Sequence, residues 1–224
     1  MGPIDAIIVH FMIPFLSFCY NNIIANYGIG IILLTLLVKL LFYPLTAKQY
    51  ASMNVMKKLN PQIKKIREKY KQTPEKAHMA IMQLYKENNA NPLKGCLPGL
   101  IQVPVFIAIF YTIHHSSFQA LLDVPGVNQG FTSFWLPNLT QADGTFILPI
   151  LLGAVTFWSQ QLMIVDEQQK KMMMFMPIII LVMSFKMPAG VLLYWLVSTL
   201  VSTLQQLMVN RQSDVIEAKV ISKT

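Results

Sequence analysis

The sequence predicts an all-α polytopic membrane protein, with five transmembrane helices, an amino-terminal interfacial helix and a cytoplasmic helical hairpin. Three observations lead to this fold class. Hydrophobic residues make up 54% of the 224 residues and charged residues only 12%, whereas a soluble domain has about 25% charged residues. Apolar stretches long enough to cross a bilayer recur along the chain. Eleven of the 18 Lys and Arg residues lie between Lys48 and Lys94, as is typical of a cytoplasmic loop.

Residues 1–26 are apolar but repeatedly interrupted. Asp5, His10 and Pro14 break the stretch, and a polar cluster follows at 20–22. These interruptions favour an interfacial helix that lies along the outer surface of the membrane. The length of the stretch leaves a sixth span open as the alternative.

Span 1 is predicted over residues 27–48 and contains one charge, Lys39, deep inside the apolar run. A lysine at the centre of a transmembrane helix costs about 2.5–3.5 kcal/mol on insertion scales. About 13 Å of helix separates Lys39 from Lys48 at the inner end, which is farther than a lysine side chain easily snorkels. The sequence therefore favours a water-filled, partly polar cavity around Lys39 over simple snorkelling.

Residues 49–91 change character and predict the cytoplasmic hairpin. Apolar residues recur there at helical spacing, with lysines between them. Thr73-Pro74-Glu75 gives the second helix an N-cap, a proline at its first position and an early acidic residue, and Asn91-Pro92 ends it. Such a basic pair suits contact with anionic headgroups or RNA; the alternative is a solvated pair without a partner.

Four further spans complete a core that covers residues 27–210. With the basic hairpin inside, the positive-inside rule places the amino terminus outside and the carboxyl terminus in the cytosol. The predicted segments are span 2 at 93–116, an outer loop at 117–144 with an aromatic belt of Phe131, Phe134 and Trp135, span 3 at 145–164, an inner loop at 165–171, span 4 at 172–186, span 5 at 190–209 and a disordered cytoplasmic tail at 211–224.

Two spans carry polar stripes. Span 1 presents Thr35, Lys39, Tyr43, Thr46 and Tyr50 at three- and four-residue spacing, and span 5 presents Trp195, Ser198, Ser202 and Gln206. Span 2 adds Gln102, between two prolines that predict a kink. For serine and threonine alone the favoured interpretation is that they hold helices together. The charge of Lys39 shifts the balance toward a shared polar cavity.

No pattern of catalytic residues is present in the sequence. It contains no His, Cys, Asp and Glu cluster with metal-ligand spacing and no glycine-rich phosphate loop, so we expect no enzyme activity, no metal and no cofactor. No carboxylate lies in any predicted span, which argues against a proton relay or cation-coupled transport. An isolated cation in a cavity instead favours an anionic visitor.

Several motifs together resemble the YidC family of membrane-protein insertases, which are related to mitochondrial Oxa and chloroplast Alb proteins. The resemblance covers residues 3–210. The motifs are Tyr43-Pro44-Leu45-Thr46, the run at 57–63, Asn91-Pro92-Leu93-Lys94-Gly95-Cys96-Leu97-Pro98, the segment at 100–106, Phe175-Met176-Pro177 and Pro188-Ala189-Gly190-Val191-Leu192-Leu193-Tyr194-Trp195.

The resemblance implies an insertase and chaperone of the bacterial cytoplasmic (inner) membrane, with a hydrated groove open to cytosol and lipid but closed outside. Alignment on the Tyr-Pro-Leu-Thr motif puts the positive charge of the groove at Lys39, where the family usually has arginine. Thr35 and Trp195 match positions that line the groove or contact substrate. Gln102 is a further wall residue, and the polar stripe of span 5 adds Ser198 and Ser202 to the predicted groove.

The implied partners are nascent membrane proteins, the Sec translocon, the ribosome and the lipid bilayer, with no DNA partner and with the monomer as the functional form. The hairpin methionines Met53, Met56, Met79 and Met82 would offer clients adaptable apolar contact; the alternative is ordinary packing within the hairpin. The mixed charge of the short tail leaves more of any ribosome contact to the hairpin and to the inner loop at 165–171.

Two other functions are compatible with the residues. In a small anion channel or transporter, Lys39 would be a selectivity charge, and the path would be open at both faces. In a structural scaffold, the hairpin would be a docking arm and Lys39 would be incidental. The insertase alone predicts a sealed outer end together with contacts between groove residues and nascent chains.

Overall fold

A computed structural model describes the backbone of residues 3–88, 90, 93–127, 129–130, 136, 138–163 and 167–221, and their side chains except at 3, 93–101, 163, 167–174 and 212–221. Every regular element in these ranges is helical, which confirms the predicted all-α class. In chain order these elements are α1 (Pro3–Ile7), a π-helical segment (Ile8–Met12), α2 (Ile13–Asn22), α3 (Tyr27–Leu41), α4 (Tyr43–Lys69), α5 (Pro74–Glu87), α6 (Leu93–His114), α7 (Ser116–Leu122), α8 (Ile147–Met163), α9 (Glu167–Ser184) and α10 (Ala189–Ile221).

The amino-terminal segment is one helical stretch from Pro3 to Asn22. One of its faces packs on α3 and α6, and the buried side chains of the stretch are Ile8, Met12, Ile13, Leu16 and Cys19. Residues Ile4–Asn22 are long and apolar enough to cross a membrane. The sixth-span alternative therefore stays open beside the interfacial helix.

The helix predicted from 27 to 48 is broken in the structure. α3 ends at Leu41, and α4 starts at Tyr43 and leaves at an angle of 65°. Pro44 explains the break, because it has no N–H to donate and its ring clashes with the carbonyl four residues earlier. α4 then continues without interruption to Lys69, so the end of predicted span 1 and the first hairpin helix are one helix.

The hairpin predicted for residues 49–91 is present as α4 and α5, which pack against each other. Its apolar core consists of Met56, Leu59, Ile63 and Ala90, with Ile81, Leu84 and Tyr85 packed against them. The lysines between these positions are mostly exposed, as the helical spacing of the apolar residues predicts.

The remaining predicted spans correspond to helices of different lengths. Two described stretches, Ile4–Asn22 and Ala189–Arg211, are each long and apolar enough to cross a membrane, and there are up to four such spans if each of two bent pairs counts as one. The bent pairs are α3 with α4 and Gln102–His114 with α7, the second bent by 57°. Shorter apolar helices at Ile147–Leu162 and Phe175–Ser184 match predicted spans 3 and 4. The count of five spans stays a prediction.

The central element is α10, which packs against α3, α4, α6 and α8. Its helix continues to Ile221, although the sequence predicts a disordered tail from residue 211. The extension has a local reason, because residues 211–221 contain neither glycine nor proline. The predicted aromatic belt at 131, 134 and 135 and the first part of the inner loop, at 165 and 166, lie outside the described residues.

Candidate functional site

Lys39 lies where α3, α6 and α10 meet. Its ammonium donates to Gln102 Oε1 at 3.0 Å and to Ser202 Oγ at 2.7 Å. All three side chains are half-buried. An ammonium has three N–H donors and no acceptor. Two of these N–H groups hold Lys39 to α6 and α10. The third N–H is not used in these two bonds.

Two tyrosines extend this polar cluster. Gln102 Nε2 donates to the Tyr194 hydroxyl, and Ser198 also bonds Tyr194. On the other side, Ser202 bonds the hydroxyl of Tyr50, on α4. Both tyrosine side chains are almost fully buried. The structure thus connects Ser198, Tyr194, Gln102, Lys39, Ser202 and Tyr50 into one hydrogen-bonded cluster across α3, α4, α6 and α10.

Tyr194 was not among the residues that the sequence predicts for the site. The missed signal is its spacing, because Tyr194, Ser198 and Ser202 are each four residues apart and therefore lie on one side of α10. Gln102, Ser198 and Ser202 were predicted, and the structure brings all three to the Lys39 cluster.

Thr35 and Trp195 were predicted for the wall of the groove, and the structure gives both a local partner. The Thr35 hydroxyl is buried and donates to the Ile31 carbonyl at 2.6 Å, four residues back in its own helix. The half-buried Trp195 ring meets Phe106 edge-on, with 5.2 Å between ring centroids. Neither side chain is among the hydrogen-bonding partners described for Lys39.

The four hairpin methionines separate into two pairs. Met53 is buried beside Tyr50 and Val209, and Met56 is buried in the hairpin core. For these two the structure favours the packing alternative over client contact, because their surface is already covered. Met79 and Met82, on α5, are 62% and 44% exposed and offer free apolar surface.

Loop backbone is hydrogen-bonded to the start of α3. The Asn26 side chain caps α3 by accepting from the Ile29 N–H at 3.0 Å, and it donates to the Gly130 carbonyl. The Gly28 N–H donates to the Gln129 carbonyl at 2.9 Å. These bonds use amide groups that are left without partners at the start of a helix.

The start of α10 lies at the same end and is held in the same way. The Ala189 N–H donates to the Gln141 carbonyl at 2.7 Å, and the Gly190 N–H donates to the Leu139 carbonyl at 2.9 Å. The loop between α7 and α8 is therefore tied by backbone hydrogen bonds to the first residues of α3 and α10, two of the helices that carry the Lys39 cluster.

The opposite end of the cluster contains polar groups with fewer partners. Lys57 on α4 and Gln206 Nε2 on α10 both donate to the Leu162 carbonyl in the last turn of α8, the second at 3.1 Å. Several buried side-chain atoms on α4, α8 and α10 have no partner among the described residues: both amide atoms of Gln49, Thr156 Oγ1, Gln205 Oε1, Gln206 Oε1 and Asn210 Oδ1.

A family model described as 60Kd inner membrane protein matches residues 18–217. The chain belongs to the 60Kd inner membrane protein family. This match covers most of the chain, and it confirms the resemblance that the motifs indicate.

Proteins similar to this chain carry the name membrane protein insertase YidC. The one from Campylobacter jejuni is 41% identical over 203 residues, which are 89% of this chain and 37% of that protein. The one from Francisella tularensis subsp. novicida is 39% identical over 193 residues, 85% of this chain and 34% of that protein. The chain therefore spans only about a third of the length of these relatives.

A solved structure supports the same relationship. It is described as an active YidC insertase crystal structure with the first transmembrane domain resolved, and it superposes with a TM-score of 0.71 at 26% sequence identity. The match covers 91% of this chain and 46% of the solved chain. The helical core described above is thus a fold that this family shares.

Proposed function

We propose that the chain is a membrane-protein insertase and chaperone that guides nascent membrane proteins from the cytosol into the bilayer. The observation that carries the proposal is Lys39, a cation held by Gln102 and Ser202 between apolar helices. The names of the relatives support the same function. The chain matches only part of each relative. The insertase activity of this chain is therefore inferred from its own Lys39 site.

The chemistry of the site suits a transient polar guest. A client segment with a carboxylate or a backbone carbonyl can accept the third N–H of the Lys39 ammonium. Gln102, Ser202 and the neighbouring hydroxyls then offer further hydrogen bonds, which lowers the cost of moving polar backbone part-way across hydrocarbon. The apolar helix of the client partitions into lipid, and its burial there supplies the free energy without a nucleotide.

The proposed topology follows from the charge distribution. The basic hairpin formed by α4 and α5 lies in the cytosol, so the amino terminus is outside and the carboxyl terminus inside the bacterial inner membrane. In this orientation the hydrogen-bonded loop at the starts of α3 and α10 faces outside, and the polar groups near Leu162 face the cytosol. The groove would then be open to the cytosol and to lipid and closed outside.

The proposed partners are nascent membrane proteins, the lipid bilayer, the Sec translocon and the ribosome. The exposed lysines of α4 give the hairpin the charge that an RNA surface or anionic headgroups attract. Met79 and Met82 add exposed apolar surface on α5. The hairpin is therefore the element through which we expect the chain to meet a ribosome and an emerging client.

The proposed closure at the outer end distinguishes this function from an anion channel. A channel needs a path that is open at both faces, whereas backbone hydrogen bonds tie the loop to α3 and α10 at one end. Reconstituted liposomes provide the test, because a channel conducts chloride and an insertase does not.

Photocrosslinking during translation of a single-spanning client tests the function directly. We expect a photoreactive amino acid at Trp195 to crosslink the client, and one at Ile178, an exposed residue on α9, to crosslink it much less. Equal crosslinking at the two positions, or chloride flux without client contact, would contradict the insertase proposal.

A further inference from the structure

Three helices meet at one backbone oxygen near the cytosolic end of the proposed groove. The Lys57 ammonium on α4 and the Gln206 side-chain amide on α10 both donate to the Leu162 carbonyl of α8. Because each donor lies within about 3 Å of the shared oxygen, the two nitrogens are no more than about 6 Å apart. The last carbonyls of a helix lack partners within it and form the negative end of its dipole, so a cation is favoured there.

This junction lies beside the approach to Lys39. Along its length α4 packs on α6 and α10, whereas it meets α8 through the Lys57 side chain. Ser202, which binds Lys39, is one helical turn before Gln206 on the same face of α10. A gap between α4 and α8 at Gln206 would therefore lead from the cytosol to the Lys39 cluster.

Buried acceptor atoms without described partners lie on α8 and α10, the two helices that meet at the Leu162 carbonyl. They are Gln206 Oε1 and Asn210 Oδ1 on α10 and Thr156 Oγ1 on α8. Buried polar atoms in proteins are nearly always paired. These three oxygens are exceptions, because no described donor bonds them. The backbone N–H groups of an extended polypeptide are donors of the right kind, and they carry no sequence preference.

We propose that Lys57 is a positioning residue that keeps α4 closed against α8 through the Leu162 carbonyl, and that the polar segment of a client displaces this contact on its way to Lys39. The backbone N–H groups of the client then bond the acceptors that lack partners. This inference rests on the proposed insertase function, whose site it extends toward the cytosol.

The closure by Lys57 can be measured without any client. Spin labels at Val55→Cys and Gln161→Cys, both at exposed positions on α4 and α8, report the distance between the helices. The full chain, with Cys19→Ala and Cys96→Ala, is placed in vesicles of phosphatidylethanolamine and phosphatidylglycerol. Lys57→Met keeps the length of the side chain but removes the donor, and we expect it to raise the ratio of long to short distances about tenfold.

Two matched variants control this measurement. Lys57→Arg keeps a donor and should retain the short distance. Lys65→Met makes the same charge change at an exposed position of the same helix, and it should leave the distances unchanged. Equal distance distributions for the unsubstituted Lys57, Lys57→Met and Lys65→Met would overturn the closing role of Lys57.

A reversible chemical crosslink between the two cysteines introduced by Val55→Cys and Gln161→Cys tests whether the client uses this route. We expect the linked chain to lose most client crosslinking at Trp195, and reversal of the link to restore it. Undiminished client crosslinking in the linked chain would overturn the route. Absence of client crosslinks even before linking would instead contradict the insertase function, while the distance shift in Lys57→Met would still stand.

Discussion

At the scale of single residues, the central feature is a lysine at the junction of three apolar helices. Lys39 bonds two neutral oxygens, and no carboxylate lies among the partners described for it. A neutral cage leaves the positive charge uncompensated, which makes it attractive to an anionic or strongly polar guest. A partnering carboxylate would have cancelled that attraction.

The charge of Lys39 can be separated from its packing by substitution. We expect Lys39→Arg to support growth in a depletion-complementation assay, because arginine keeps the charge and has more donors. Lys39→Met should impair insertion about tenfold or more, and most for clients with acidic outer segments. Lys186→Met, at an exposed lysine three residues before the start of α10, is the control. Full activity of Lys39→Met on acidic clients would refute the charge role.

Gly190 has a structural role that can also be tested. A Cβ at this position would lie 2.6 Å from Ile113 Cδ1 and 3.2 Å from the Leu139 carbonyl oxygen. Gly190→Ala should therefore destabilise the fold by about 1–3 kcal/mol, measured by thermal unfolding in detergent. Gly144→Ala, where a Cβ meets nothing within 4 Å, should have little effect. Similar melting temperatures for the two variants would contradict the close approach of α10 to α6 and to the loop.

At the scale of helices, the periodicity of the sequence predicts much of the helical structure. Much of the helix packing depends on contacts between residues that are distant in sequence. The hairpin core follows from the spacing of its apolar residues. The polar faces of α3 and α10, which carry Lys39 and Ser202, follow from polar residues that recur every three or four positions. The break at Phe42 was missed because Pro44 near a helix end is often tolerated. The Leu162 carbonyl could not be predicted as a partner of Lys57, since a backbone oxygen carries no sequence signal.

The start of α8 depends on one buried carboxylate. Asp143 accepts from the Thr145 N–H at 2.9 Å and from the Leu148 N–H at 2.8 Å, and it is only 5% exposed. Asp143→Ala should cost about 0.5–2 kcal/mol of stability, seen as a lower midpoint in thermal unfolding. The exposed Asp123→Ala serves as the comparison. No difference between them would show that the cap is dispensable.

The hairpin should respond differently to changes in its core and on its surface. Ile63→Ala removes a buried side chain and should cost the hairpin about 2–5 kcal/mol, measured as faster hydrogen exchange of the α5 amides. Met79→Ala, at a 62% exposed position, should leave exchange unchanged but reduce crosslinking of clients to the hairpin. Loss of protection in Met79→Ala would mean that this methionine packs rather than binds.

At the scale of the whole molecule, the two ends of the helix bundle differ in how their polar groups are paired. At the proposed outer end, loop carbonyls satisfy the first amides of α3 and α10. At the proposed inner end, four buried side-chain oxygens of α8 and α10 lack a described partner, whereas the described part of the outer loop has one such oxygen, Gln129 Oε1. A site that receives polar chains from one side and releases apolar helices into lipid needs this asymmetry, because guests must enter without opening a path through the membrane.

The proposed outer closure can be weakened at Asn26, which caps α3 and also donates to the Gly130 carbonyl. Asn26→Ala removes both bonds and should cost about 1 kcal/mol, which lowers the melting temperature by about 2–4 °C in a chain of this size. Because the loop is then less firmly tied to α3, we expect chloride leakage from liposomes to rise above that of the unsubstituted chain. Asn22→Ala is the control, since the described bond of its amide goes to the Phe18 carbonyl within the same helix. If the unsubstituted chain already leaked at the level of Asn26→Ala, the outer end would not be closed, and the anion channel would become the better account of Lys39.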